Sequence, residues 1–201
     1  MHIAEGVLSP SILGIGGALA LFGCSLGLRR LSEDRLMPVA LLSAAFFVGS
    51  LIHIPIGPAS AHLLLNGLLG VLLGWAAFPA ILIALLLQVL LFQYGGLTTL
   101  GINTVNMALP AVLAGIMTRP WLTNKGWKLV VPAFCCGALG VAGAAFLTAL
   151  CLALTEEGFL AAAQLLFWAH LPVMFVEGLI TAFTVSFLAK TRPELLLFHQ
   201  D

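Results

Sequence analysis

The sequence predicts an all-α polytopic membrane bundle of about seven transmembrane helices, forming a single domain, and three observations carry that reading. Hydrophobic residues make up 61% of the chain and charged residues only 8%. A soluble domain carries about 25% charged residues because its surface must meet water. Most of this surface must therefore face lipid, which excludes a soluble enzyme. The second observation is a succession of apolar runs of roughly 17–25 residues, the length that crosses a bilayer. The third is the placement of the eight Lys and Arg residues. They fall in three groups: Arg29, Arg30 and Arg35; Arg119, Lys125 and Lys128; Lys190 and Arg192. With seven spans, the N-terminus outside and the C-terminus cytoplasmic, every group lies on the cytoplasmic side of a cell membrane, as the positive-inside rule requires. The opposite loops hold polar residues or the acidic pair Glu156-Glu157, and a different span count scatters the charges over both faces.

Residues 1–8 form an N-terminal tail. It has no basic n-region and no small-residue cleavage site in a sensible place, so it is expected to stay on the mature protein. A bundle over 9–190 follows, and 191–201 make a cytoplasmic tail. The first span runs from Ser9 to Leu28, closed by Arg29-Arg30, and its small residues, Gly16 and Ala20 among them, permit close helix contact. The second runs from Pro38 to about Ile54 and ends in Pro55-Ile56-Gly57-Pro58. A short third span covers His62 to Gly74, and Pro79 opens a fourth ending near Phe92. The segment Gln93 to Asn103, with Gly95-Gly96, Thr98 and Thr99, is too polar to face lipid. The fifth span runs from about Thr104 to Thr118 and the sixth from Lys128 to Leu154. The last, Phe159 to Ala189, would reach about 46 Å as one helix, beyond the ~30 Å hydrocarbon core. His170-Leu171-Pro172 is expected to break it. Non-helical backbone at membrane depth survives only where protein buries it or a cavity needs it. On this topology the tail, the 55–61 turn and the 93–103 loop all lie at the outer face, where they can build one site.

Met1-His2 carries the most specific chemistry. A free amine, the next amide nitrogen and the His2 imidazole close fused chelate rings around one cation, and only position two allows that sequence. Three nitrogens completed by another imidazole suit Ni(II) or Cu(II), and Co(II) less strictly. His62 and His53 are candidates for the fourth nitrogen. At a helix start, His62 would be kept neutral by the helix dipole. By spacing alone, either histidine also fits an ordinary interfacial role. Asn66, Gln88, Gln93, Thr98, Thr99, Asn103 and Asn106 cluster around spans three to five. They either orient the histidines through hydrogen bonds or simply bond helix to helix. Glu177 is the only carboxylate well inside a span and has no basic partner in the sequence; it is neutral or pairs with His170. Cys24, Cys135, Cys136 and Cys151 lie in apolar stretches without zinc spacing and read as packing residues. No P-loop, G-x-S-x-G or H-E-x-x-H occurs, so a transporter of this kind is passive, ion-coupled or driven by a separate ATPase.

Three segments carry a family resemblance. Met1-His2-Ile3-Ala4-Glu5-Gly6-Val7-Leu8-Ser9-Pro10 resembles the MHIxEGxLSP opening of the CbiM/NikM proteins, the substrate-binding membrane components of energy-coupling-factor (ECF) cobalt and nickel transporters. Gly57-Pro58-Ala59-Ser60-Ala61-His62-Leu63 resembles their G-G-T-S-x-H-L element. Tyr94-Gly95-Gly96-Leu97-Thr98, with Asn103, Asn106 and Met107, resembles their D-G-G-L-T…N…N-M stretch. The resemblance implies one Ni(II) or Co(II) as transported substrate, held by Met1, His2 and His62; from the residues themselves, His53, Asn66, Thr98, Asn103 and Asn106 are candidates to stand behind them. It also implies seven spans, an ECF scaffold subunit, cytoplasmic ATPase subunits and a lipid surround, with no nucleic acid, and cobalt supply to cobalamin biosynthesis. Pro58 and Ala59 stand where Gly and Thr are typical, His53 stands near an expected Asn, and Tyr94 replaces a frequent Asp. Two rival readings are a membrane-embedded enzyme using Glu177 and His170 as an acid-base pair, and a self-sufficient secondary transporter of divalent metal.

Overall fold

A computed structural model describes residues 2–51, 53–56 and 59–196, with backbone alone at 53–56, 59–61 and 157. Helix α1 spans Pro10–Arg29 and α2 spans Glu33–Gly49. A hairpin of β1 (His53–Ile56) and β2 (Ala59–His62) follows. Then come α3 (Asn66–Leu73), a 3-10 turn at Gly74–Ala76, α4 (Ala77–Phe92), α5 (Leu100–Thr118), α6 (Trp127–Thr155), α7 (Leu160–Ala169) and α8 (Leu171–Thr191).

Five helical stretches are long and apolar enough to cross a membrane: Pro10–Arg29, Asn66–Phe92, Leu100–Trp121, Trp127–Thr155 and Leu160–Thr191. Their outward faces present large apolar side chains such as Phe22, Leu90, Phe146 and Phe183, an arrangement that water would not tolerate and lipid favours. The chain is a multi-pass membrane protein. Pro10 sits in the first turn of α1, where its missing N–H costs nothing, and α2 opens on Glu33 and Asp34, which suit a helix N-terminus. The stretch from Asn66 to Phe92 is not one straight helix. Gly74, at φ 53° and ψ −127°, stops α3 after 8 residues and lets the chain turn into α4.

Helix α3 is the buried centre, with Asn66 through Val71 and Leu73 all inside. It fits because its neighbours give up side-chain volume. A Cβ at Gly70 would collide with the Ala111 carbonyl of α5, and one at Gly140 would stand 3.0 Å from the Gly67 nitrogen. Helix α1 uses the same device, since a Cβ at Gly16 would lie 2.5 Å from the Ile102 Cβ. Helices α2 and α4 run parallel: Ser43 Oγ donates to Ala80 O at 2.7 Å, and further along Gln88 Nε2 donates to Phe47 O at 3.3 Å and to Ser50 Oγ.

Several expected boundaries are corrected. The second helix begins at Glu33, accommodates Pro38 in its interior and stops at Gly49, because the chain leaves the helix for a hairpin pairing Ile54 with Ala61 and Ile56 with Ala59. The hairpin satisfies its own main-chain groups across the strands, and it is the one departure from an all-helical chain among the described residues. His62 ends β2 and does not open a helix; α3 starts four residues later at Asn66. The fifth helix begins at Leu100 and absorbs the last residues of the loop expected to reach Asn103. The break at His170 occurs as expected, between α7 and α8.

Candidate metal-binding site

The tail enters the bundle in extended form and is held by its backbone. Ile3, fully buried, donates its N–H to Asn103 Oδ1 at 3.0 Å, and Asn103 Nδ2 donates back to Ile3 O at 3.1 Å. A primary amide offers a donor and an acceptor side by side, as a neighbouring strand would. Thr99 Oγ1, one helical turn earlier, donates to Ile3 O at 3.0 Å. The Glu5 carboxylate accepts the Thr98 N–H at 3.4 Å and lies over Gly96, where any Cβ would strike it. Gly95, at φ +82°, would place a Cβ 3.6 Å from the His2 Cβ. Gly96 thus clears the seat on which the tail lies, while Gly95 supplies the left-handed backbone turn beside it.

This docking buries His2, which retains 7% exposure, and stacks its ring on His62 with centroids 4.6 Å apart and planes inclined by 25°. His62 Nδ1 lies 3.1 Å from Leu63 O, so the ring proton belongs on Nδ1 and the Nε2 lone pair is left free. His62 Nε2 is buried and has no hydrogen-bond partner among the described residues. Leaving such an atom unpaired costs about 1–3 kcal/mol, a penalty that a bound cation removes. Burial holds the His62 pKa well below the usual histidine range, and the positive charge of a protonated His2 would push it lower still. Its neutrality comes from desolvation, which corrects the helix-dipole origin expected from the sequence.

Glu177 fixes the chain just beyond His62. Its Oε1 accepts the Leu64 N–H and, at 2.6 Å, the Leu65 N–H. Leu65 adopts φ 52°, a left-handed conformation that needs such support. The Glu177–His170 pair, one of the two readings of Glu177 from the sequence, does not form among the described contacts: His170 Nδ1 lies 2.7 Å from Leu166 O. Asn66 is fully buried, with neither side-chain polar atom bonded among the described residues. Asn106 faces Cys151, with contacts of 3.8 and 3.7 Å, and so works between α5 and α6. Thr98 contributes its backbone N–H to Glu5, while its neighbour Thr99 is the buried hydroxyl. Strand register sets His53 opposite His62; the His53 side chain and all of Met1 lie outside the described residues.

Among the described residues no group of three or more His, Cys, Asp and Glu side chains could hold a metal. Among the described residues, His2 and His62 are the two imidazoles brought together at this site. Sequence reasoning assigned no role to Glu5, named Thr99 only as one member of a polar cluster, and left Glu177 either neutral or paired with His170. The first two stood in motifs already noticed, whereas the last joins residues 113 positions apart.

Comparison with known proteins points the same way. A Haemophilus influenzae protein provisionally named a metal transport protein is 44% identical over 201 residues, covering 98% of this chain and 97% of that one. A cobalt transport protein CbiM of Sorangium cellulosum is 32% identical, with 98% and 94% covered. A fused nickel transport protein NikMN of Rhodobacter capsulatus is 33% identical over 98% of this chain and 64% of its own. Two crystal structures of transition metal transporters superpose with TM-scores of 0.82 and 0.83, at 29% and 31% identity. They cover 95% of this chain, and 99% and 93% of theirs. These relatives are metal transport proteins, not enzymes, which sets aside the embedded-enzyme reading of Glu177 and His170. The family model described as the cobalt uptake substrate-specific transmembrane region, CbiM, matches residues 2–195, and the chain belongs to that family.

Proposed function

We propose that the chain is the metal-binding component of an ATP-driven, ECF-type cobalt or nickel uptake transporter. It captures one divalent cation with the Met1 amine, the His2 amide and imidazole, and the His62 imidazole. The observation that carries this reading is the buried, unpartnered His62 Nε2 beside the docked His2 ring. Two neutral imidazoles and two main-chain nitrogens make a nitrogen-rich set suited to Ni(II) or Co(II). Ligand deprotonation accompanies binding. The hydrogen bonds from Asn103 and Thr99 to Ile3 keep the chelating end in register, as groups behind metal ligands do.

On this reading α1, α2, α3, α4, α5, α6 and α8 make seven passes, with the site outside and 191–201 cytoplasmic. The reversal at Gly74–Ala76 and the parallel course of α2 and α4 support that count, because α3 must then return between them. Residues 1–8 act as the binding tail of a single transmembrane domain over 9–190. On this reading the driving force comes from a scaffold subunit and ATPases acting at the cytoplasmic end of the chain.

Metal titration of purified protein in detergent tests the reading. One-to-one binding of Ni(II) or Co(II) is expected, lost when a single residue is added before Met1, because the amine then leaves the chelate. Unchanged binding after the extension would move the site to the histidine side chains. No binding at all would overturn the proposal.

A further inference from the structure

His170 has no part in the ligand set proposed above, yet its ring is prepared as that of His62 is. It stands at the junction of α7 and α8 and is fully buried. Its Nδ1 lies 2.7 Å from Leu166 O, which can only accept, so the ring proton belongs on Nδ1 and the Nε2 lone pair is left free. His170 Nε2 is buried and has no hydrogen-bond partner among the described residues. His62 follows the same pattern, with Leu63 O in place of Leu166 O. Buried polar atoms ordinarily have a partner, and a bound cation supplies one to a bare imidazole nitrogen.

Three relationships bring His170 to the His62 end of the bundle. Helix α7, which His170 closes, packs against both strands of the hairpin whose last residue is His62. Glu177 accepts the Leu64 and Leu65 N–H groups just past His62, and His170 precedes Glu177 by two turns of α8. Two turns return to the same helix face, about 10 Å nearer the hairpin. His62 precedes Leu64 by two residues of non-helical chain, about 7 Å at most. Both imidazoles therefore lie on the hairpin side of the Glu177 anchor. Burial is the main reason that His62 stays neutral, and positive charge on His2 or on His170 would add to it, so the third ring is within electrostatic reach of the second.

The Met1 amine, the His2 amide and imidazole and the His62 imidazole together suit a planar arrangement, which a further nitrogen can approach only along the axis. Metals differ there. In a strong planar field Ni(II), with eight d electrons, fills the orbital along that axis and repels a fifth donor. Low-spin Co(II), with seven, holds one electron in it and gains from a donor nitrogen.

We propose that His170 Nε2 is a fifth, axial ligand to the captured cation, and that it raises affinity for Co(II) and not for Ni(II). The inference rests on the four-nitrogen reading of the site.

Electron paramagnetic resonance of the full-length protein loaded with Co(II) tests it. An axial nitrogen should split each cobalt hyperfine line into a triplet, and labelling with nitrogen-15 histidine should turn each triplet into a doublet. The doublet should persist in His53→Gln, since His53 is the other imidazole that chain register sets opposite His62. His170→Asn keeps a donor for Leu166 O but has no atom in the place of Nε2, so it should remove the splitting. In titrations its Co(II) affinity should fall at least about 10-fold and its Ni(II) affinity less than about threefold. Elution volume and helical circular dichroism establish folding; if His170→Asn does not fold, the labelled spectra of wild type and His53→Gln decide. A Co(II) spectrum without the triplet, a triplet that survives His170→Asn, or an equal fall for both metals overturns the axial role. In those cases Ni(II) binding that is lost on adding a residue before Met1 keeps the four-nitrogen reading. Ni(II) binding that survives the added residue overturns that reading and this inference together.

Discussion

Asn103 grips Ile3 by both backbone groups, at 3.0 and 3.1 Å, across 100 residues of chain. The residue beside His2 is thereby positioned by a helix α5 side chain and not by its own neighbours. On the proposed coordination, capture of the tail and construction of the ligand set are the same event.

Asn103→Leu should therefore weaken metal binding without unfolding the bundle. It deprives the buried Ile3 N–H of its partner, at about 1–3 kcal/mol, while Thr99 still serves Ile3 O. Nickel affinity is expected to fall about 10- to 100-fold, and hydrogen exchange at Ile3 should accelerate. Isothermal titration paired with exchange measurements checks this. Wild-type affinity alongside fast exchange would separate tail docking from binding.

Glu177→Leu should behave differently from Glu177→Gln. Leucine leaves the Leu64 and Leu65 N–H groups buried and unpaired, costing roughly 2–4 kcal/mol, whereas glutamine keeps a carbonyl acceptor for them. Thermal unfolding in detergent should show a large loss for leucine and a small one for glutamine, with metal affinity following the same order through the His62 loop. A glutamine variant as damaged as leucine would show that the carboxylate charge matters more than its grip on the loop.

Much of the bundle was readable because its physics is local. Apolar run length and the break at His170 each depend on a few adjacent residues. The hairpin was missed because His53-Ile54-Pro55-Ile56 continues the apolar run of α2, so hydropathy alone extended the helix to Ile54. The start of α5 was misplaced because Thr98, Thr99 and Asn103 looked like loop, although two of them are buried polar groups facing the tail. In the site, His2 and His62 were visible from chain position and motif. Glu177 was not, because its role joins α8 to a turn 113 residues away, and a single sequence holds no local trace of that contact.

The pH dependence of the metal-free protein should carry the signature of His62. Its folded pKa lies well below the unfolded value of about 6.5. In that window the unfolded chain binds the extra proton, so stability rises with pH. The contribution is fully present above about pH 6.5 and is lost as pH falls below it toward the folded value. His62→Gln should flatten this slope in chemical denaturation between pH 5 and 7. Metal affinity should also fall on acidification, because the remaining nitrogens must lose protons to bind. An affinity unchanged from pH 8 to 5 would sink the proposed coordination.

Gly70→Ala should be among the most damaging small substitutions in the chain. The added Cβ meets the Ala111 backbone carbonyl, which, unlike a side-chain tip, cannot swing aside, so α3 and α5 must separate. Because α3 is buried along almost its whole length, that separation opens voids against α6 as well and loses several packed contacts at once. Gly14→Ala provides the contrast: it lies in a helix with nothing within 4 Å of the new Cβ. There the lower backbone entropy of alanine should stabilise by about 0.5–1 kcal/mol. Thermal midpoints of the two variants should therefore move in opposite directions. A Gly70→Ala protein as stable as wild type would mean that α3 and α5 do not approach this closely in the membrane.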